Sequence, residues 1–176
     1  MYRSGLILLL TVTWMFSGCS GDAGKSTVTN TNVNIPPVTA VWKKDVTPDD
    51  IADLKWLEGT WRGTAEGQEP FYERYSFDDT SLITESFDDE SLATVANTAR
   101  YALVNGEFRH TTTDGRRVAA SEITADRIQF VPVVGEGNAF RFERQGQGKW
   151  RAVLEWPATA GKPAKKVIYT MEPYKK

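Results

Sequence analysis

The chain has 176 residues with 21 Lys and Arg against 23 Asp and Glu, a formal net charge of −2. It therefore lacks the basic excess of a nucleic-acid-binding domain, and no nucleic-acid partner is expected. One cysteine and one histidine exclude an intrachain disulfide and leave carboxylates as the main metal donors, a poor set for zinc or iron, so neither a metal nor another cofactor is expected.

The chain opens with Arg3 and then an apolar run, "LILLLTVTWMF", Leu6 to Phe16. The run is too short to cross a bilayer as a stable helix and reads as the core of a secretory leader. Further on, Gly24-Lys25-Ser26-Thr27 has the ending of a phosphate-binding loop. The first glycine of that loop would have to stand where Cys19 stands, and the polar, Pro-containing "STVTNTNVNIPPVT" offers no helix to follow it, so a nucleotide site is excluded. The stretch Phe16-Ser17-Gly18-Cys19 resembles the lipobox of bacterial lipoproteins, with Phe16 where that family usually has Leu. The resemblance implies a signal peptide over residues 1–18, cleavage after Gly18, and diacylglycerol, commonly carrying palmitate, on Cys19. The membrane is then a partner through the lipid, since two or more acyl chains anchor a protein stably. Ser20 after the cysteine implies an outer-membrane protein facing the periplasm. An ordinary secretory signal with an incidental cysteine is the alternative.

Residues 19–46 are rich in Ser, Thr, Asn and Pro and read as a lipidated tether with little fixed structure, with docking of Val41 and Trp42 left open. Residues 47–176 form one domain of roughly 130 residues, an ordinary size. "TPDDIADLKWLEG" predicts a short amphipathic helix at its N-terminal end. Thr47 caps it, Pro48 takes the first position, Asp49 and Asp50 suit the positive helix start, and Ile51, Leu54 and Leu57 share a face. The rest alternates aromatic and β-branched with polar residues, broken by turn pairs such as Asn105-Gly106 and Asp114-Gly115. About ten strands with short links predict a mainly β fold, an antiparallel up-and-down β-barrel closed to remove its edges.

"DLKWLEGTWRG", Asp53 to Gly63, resembles the start of lipocalin-like, or calycin, barrels, in which a short helix leads into a Gly-x-Trp strand. The resemblance covers roughly residues 53–174 and implies that Gly59 and Trp61 close one barrel end, the tryptophan often packing against a late Arg or Lys. The layout is similar to small bacterial lipocalin-like domains of unknown function, but "IQFVPVVGEGNAFRF" replaces their Phe-Glu-Asn-Pro stretch. "GTWRGTAEG" also resembles nitrobindin-type haem barrels. The sole histidine, His110, stands far from the position of their haem ligand, so haem does not carry over.

Period-two alternation predicts the inner rows. Trp61 starts one; others run through Phe71, Glu73, Tyr75 and Phe77, through Val95, Asn97, Ala99, Tyr101 and Leu103, and through Phe108 and His110. Later rows hold Ile128 and Phe130, Phe140 and Phe142, Trp150 to Trp156, and Val167, Tyr169 and Met171. In a two-residue turn at Asn105-Gly106, Tyr101 faces His110. Glu73, Tyr75, Asn97, Tyr101, His110 and Tyr169 are the polar inner residues that could meet a ligand. Three functions remain open: a non-enzymatic binder of a small apolar or amphipathic molecule, a filled barrel that docks a protein partner, and an enzyme using Glu73 or His110 with Tyr101. Plain core is the competing reading of the aromatic rows.

Overall fold

The computed structural model describes residues 41–146 and 148–175. The apolar leader, Cys19 and most of the tether lie outside the described residues. The opening helix α1 (Pro48–Ala52) carries a capping box: the Thr47 hydroxyl accepts from the Asp50 amide and the Asp50 carboxylate accepts from the Thr47 amide. This satisfies donors that the first helical turn leaves unpaired. A 3₁₀ turn, Asp53–Leu57, continues it.

Ten strands follow: β1 (Gly59–Thr64), β2 (Phe71–Asp78), β3 (Ser81–Phe87), β4 (Val95–Val104), β5 (Glu107–Thr111), β6 (Arg117–Thr124), β7 (Arg127–Val134), β8 (Ala139–Arg144), β9 (Trp150–Trp156) and β10 (Lys165–Pro173). Each pairs antiparallel with its neighbours in sequence, and β10 returns to β1, with Trp61 opposite Pro173. The result is a closed antiparallel up-and-down barrel, consistent with a lipocalin-like fold, and closure leaves no strand edge open. The helix opens the barrel rather than the chain.

The up-and-down order gives the barrel two unlike ends. At the lower end lie α1, the 3₁₀ turn and the short β2–β3, β4–β5, β6–β7 and β8–β9 links. At the upper end lie the loops 65–70, 88–94, 112–116, 135–138 and 157–164. Asn105 and Gly106 both have positive φ, 53° and 79°, as a primed hairpin turn requires. The register follows: Val104 faces Glu107, Leu103 faces Phe108 and Ala102 faces Arg109.

The lower end is sealed by the helix. Ile51, Leu54 and Leu57 are buried, the Trp61 indole N–H donates to the Leu57 carbonyl at 2.7 Å, and Trp61 and Trp56 both stand edge-on to Trp150. Trp61 thus closes this end against the helix. Above the plug, Leu82, Phe108, Ile128, Phe130, Trp150 and Met171 are fully buried. Gly63 also faces inward; a Cβ there would come 2.2 Å from the Phe71 ring, so the aromatic occupies the space that glycine leaves.

Residues that the sequence assigns to the tether lie on the barrel. β5 and β6 are paired only from Arg109–Ala119 to Thr111–Arg117. Around the rest of that seam the Lys43 amide donates to the Ala120 carbonyl at 2.8 Å and the Val46 amide to the Gly106 carbonyl at 2.9 Å. The Trp42 indole bonds Glu107 at 2.7 Å and Val46 is buried. The strap supplies donors to carbonyls that the short β5 ladder does not cover, which buried backbone requires.

Candidate functional site

β2 turns Phe71, Glu73 and Tyr75 toward the interior, as its alternation dictates. Glu73 is 1% exposed. One of its carboxylate oxygens accepts from the Tyr75 hydroxyl at 2.6 Å and the other from the Ser86 hydroxyl at 3.0 Å. It makes no salt bridge with any described residue. Burial pushes its carboxyl up to about 6, against the opposing pull of the two hydrogen bonds. Burial, then the Glu73 charge, raises the Tyr75 phenol well above its ordinary value, so it stays a donor.

The site extends across the sheet. Glu73 stands opposite Ser86, and Ser86 opposite Asn97, so one rung spans β2, β3 and β4. One rung toward the lower end, Tyr75 stands opposite Thr84. Thr84 is buried and its hydroxyl has no hydrogen-bond partner among the described residues. The Trp150 indole nitrogen, whose ring lies 5.3 Å from that of Tyr75, is likewise buried and unpartnered. Native interiors pair nearly all such groups, and one left over needs a water or a ligand to account for it.

Tyr101 is buried among Phe108, Phe130 and Phe140. Its phenol is raised first by burial, then by the charges of Glu73 and Glu136. Both carboxyl groups therefore act on the same interior hydroxyl. Glu136 comes from the β7–β8 loop; its side chain is 4% exposed and lies 3.6 Å from Arg116.

The other predicted inner residues fall as follows. The His110 ring lies 5.2 Å from that of Tyr101, and its Nδ1 donates to the Arg100 carbonyl at 2.9 Å, which fixes the proton on Nδ1. His110 and Glu73 share no hydrogen bond. Asn97 is half-buried. Tyr169 is buried edge-on to Phe71. Gly59 and Trp61 belong to the lower plug. Thr84, Ser86 and Glu136 were missed by the sequence reading. The period-two pattern of β3 was the available signal, since Leu82 fixes Thr84 and Ser86 to its own face.

The upper rim is acidic. Loops 65–70, 88–94, 112–116, 135–138 and 157–164 carry Glu66, Glu69, Asp88, Asp89, Glu90, Asp114 and Glu136 against Arg116 and Lys162, and the strand ends beside them add Arg117 and Lys165. Among the described residues no group of three or more His, Cys, Asp or Glu side chains is placed to hold a metal ion. At the same end Val95 and Val134 are exposed, at 44% and 47%, while Trp156 and Val167 are half-buried against the core.

No protein-family model matches the chain. No curated protein is significantly similar to it.

Proposed function

We propose that the protein is a lipid-anchored component of a bacterial cell envelope, held by lipid on Cys19, whose barrel binds one small amphipathic molecule through its loop-bearing end. The anchor rests on the sequence from Arg3 to Cys19. The binding reading rests on one observation: the Glu73 carboxyl is buried against the Tyr75 and Ser86 hydroxyls with no described cation paired to it, one rung from a buried Thr84 hydroxyl that has no partner among the described residues. Burying a carboxyl without a counter-charge is unfavourable, and a barrel that needed only filling would be better served by Leu or Met at position 73.

The barrel would be packed at its helix end and receptive at the other. The experiment is native mass spectrometry of protein purified from its own membranes, with organic extraction of whatever denaturation releases. A retained small molecule at one per chain is expected. A native mass equal to the lipidated chain alone, with no displaceable apolar probe, would overturn the reading. That outcome would favour the alternative of a filled barrel docking a protein partner, for which the packed lower half is the supporting observation.

A further inference from the structure

We propose that the molecule taken by this barrel is an organic cation, an amphiphile with a protonated amine that enters amine first and is neutralised by Glu73. This rests on the binding reading above and adds the sign of the ligand's charge. A buried carboxylate needs a partner of opposite charge, and the described residues supply none at Glu73. The Tyr75 and Ser86 hydroxyls occupy one lone pair on each oxygen, and a carboxylate has about four acceptor sites, so acceptor capacity remains on both.

An ammonium brings three donors and accepts nothing. The unpartnered Thr84 hydroxyl, on the same inward face two residues before Ser86, is a second acceptor for it. Tyr75 and Tyr101 add aromatic faces, which attract a desolvated cation. An anionic head group would instead meet Glu73 inside and the acidic rim outside. A bare divalent ion needs several hard oxygen ligands in one place, and no such cluster is found among the described residues. The rim loops carry seven carboxylates against Arg116 and Lys162, with Arg117 and Lys165 at the adjoining strand ends; the acidic excess that remains gives the field that draws a cation toward a mouth and raises its on-rate. Val95 and Val134, exposed at that end, are apolar surface for the hydrocarbon part left outside.

The test is calorimetric titration of the full chain carrying Cys19→Ala, so that no anchor lipid competes, with three probes of equal length: n-octylamine, n-octanol and n-octanoate. Octylamine is expected to bind at least about tenfold more tightly than octanol, a difference of about 1.4 kcal/mol, and octanoate more weakly than either. In Glu73→Gln, which keeps the shape of the side chain, the amine should lose roughly tenfold more affinity than the alcohol. In the rim variant Glu66→Gln/Glu69→Gln, which leaves the interior intact, octylamine should bind more weakly at low salt and with less salt dependence. Equal binding of octylamine and octanol by the unaltered interior would overturn the charge inference and leave the binding reading standing. Failure of all three probes to bind would overturn both.

Discussion

Glu73 makes stability depend on pH with a definite sign. Its carboxyl titrates near 4.5 when exposed and is raised to about 6 in the fold. The folded chain therefore holds the proton more tightly than the unfolded one, and stability falls as pH rises through this window. The stabilisation is fully present below the unfolded value and is lost once the pH passes the folded one. At 1.36 kcal/mol per pH unit the difference is about 2 kcal/mol between pH 4 and pH 7. Other carboxylates titrate over the same range, so the measurement is a difference. Urea unfolding of the chain and of Glu73→Gln is followed by tryptophan fluorescence at half-unit intervals. The glutamine still accepts from Tyr75 but does not titrate. Relative to the variant, the glutamate form should lose about 2 kcal/mol across the window, most of it above the unfolded value. Parallel curves would mean that Glu73 is not shielded from water, and the site built on it would fall.

Trp61→Ala removes the plug that bonds Leu57 and meets Trp150, and should destabilise by about 3–5 kcal/mol in denaturant unfolding; an unchanged midpoint would separate Trp61 from barrel closure. Gly63→Ala forces a Cβ against the Phe71 ring and should destabilise by about 1–3 kcal/mol, with partial recovery in the Gly63→Ala/Phe71→Leu double variant. Gly106→Ala strains a position at positive φ and drives a Cβ to 2.3 Å from the Lys44 carbonyl; hydrogen exchange at the Lys43 and Val46 amides should rise while the β8–β9 amides hold. Cys19→Ala should abolish incorporation of labelled palmitate in cells, and equal labelling with and without the thiol would remove the lipid anchor.

The barrel was legible because its signals are local. Asn105-Gly106 sets one hairpin register outright, and the inner aromatics recur at even spacings on β2, β8 and β9. Glu73 could be placed inside because Phe71 and Tyr75 flank it at a spacing of two. Its partner Ser86 is harder to read: the inner face of β3 turns polar after Leu82, so only the spacing of two from Leu82, and not hydrophobicity, puts it inside. Glu136 comes from a loop, where no period exists to read. The Trp42–Val46 strap looks like linker because its docking depends on carbonyls left open by the short β5–β6 ladder, a property of strands some 70 positions away in the chain.

The seam between β1 and β10 has a consequence in time. Trp61 pairs with Pro173, so the first strand waits for the last before the ring can close. Such pairings require nearly the whole chain to be gathered first, and folding slows as the sequence separation of contacts grows. Until then β1 and the most recently formed strand present two bare edges, the templates on which chains join one another. The finished molecule is edgeless, while its precursors are adhesive at both ends. During synthesis the protein should therefore depend on a holding chaperone until β10 is available to pair with β1.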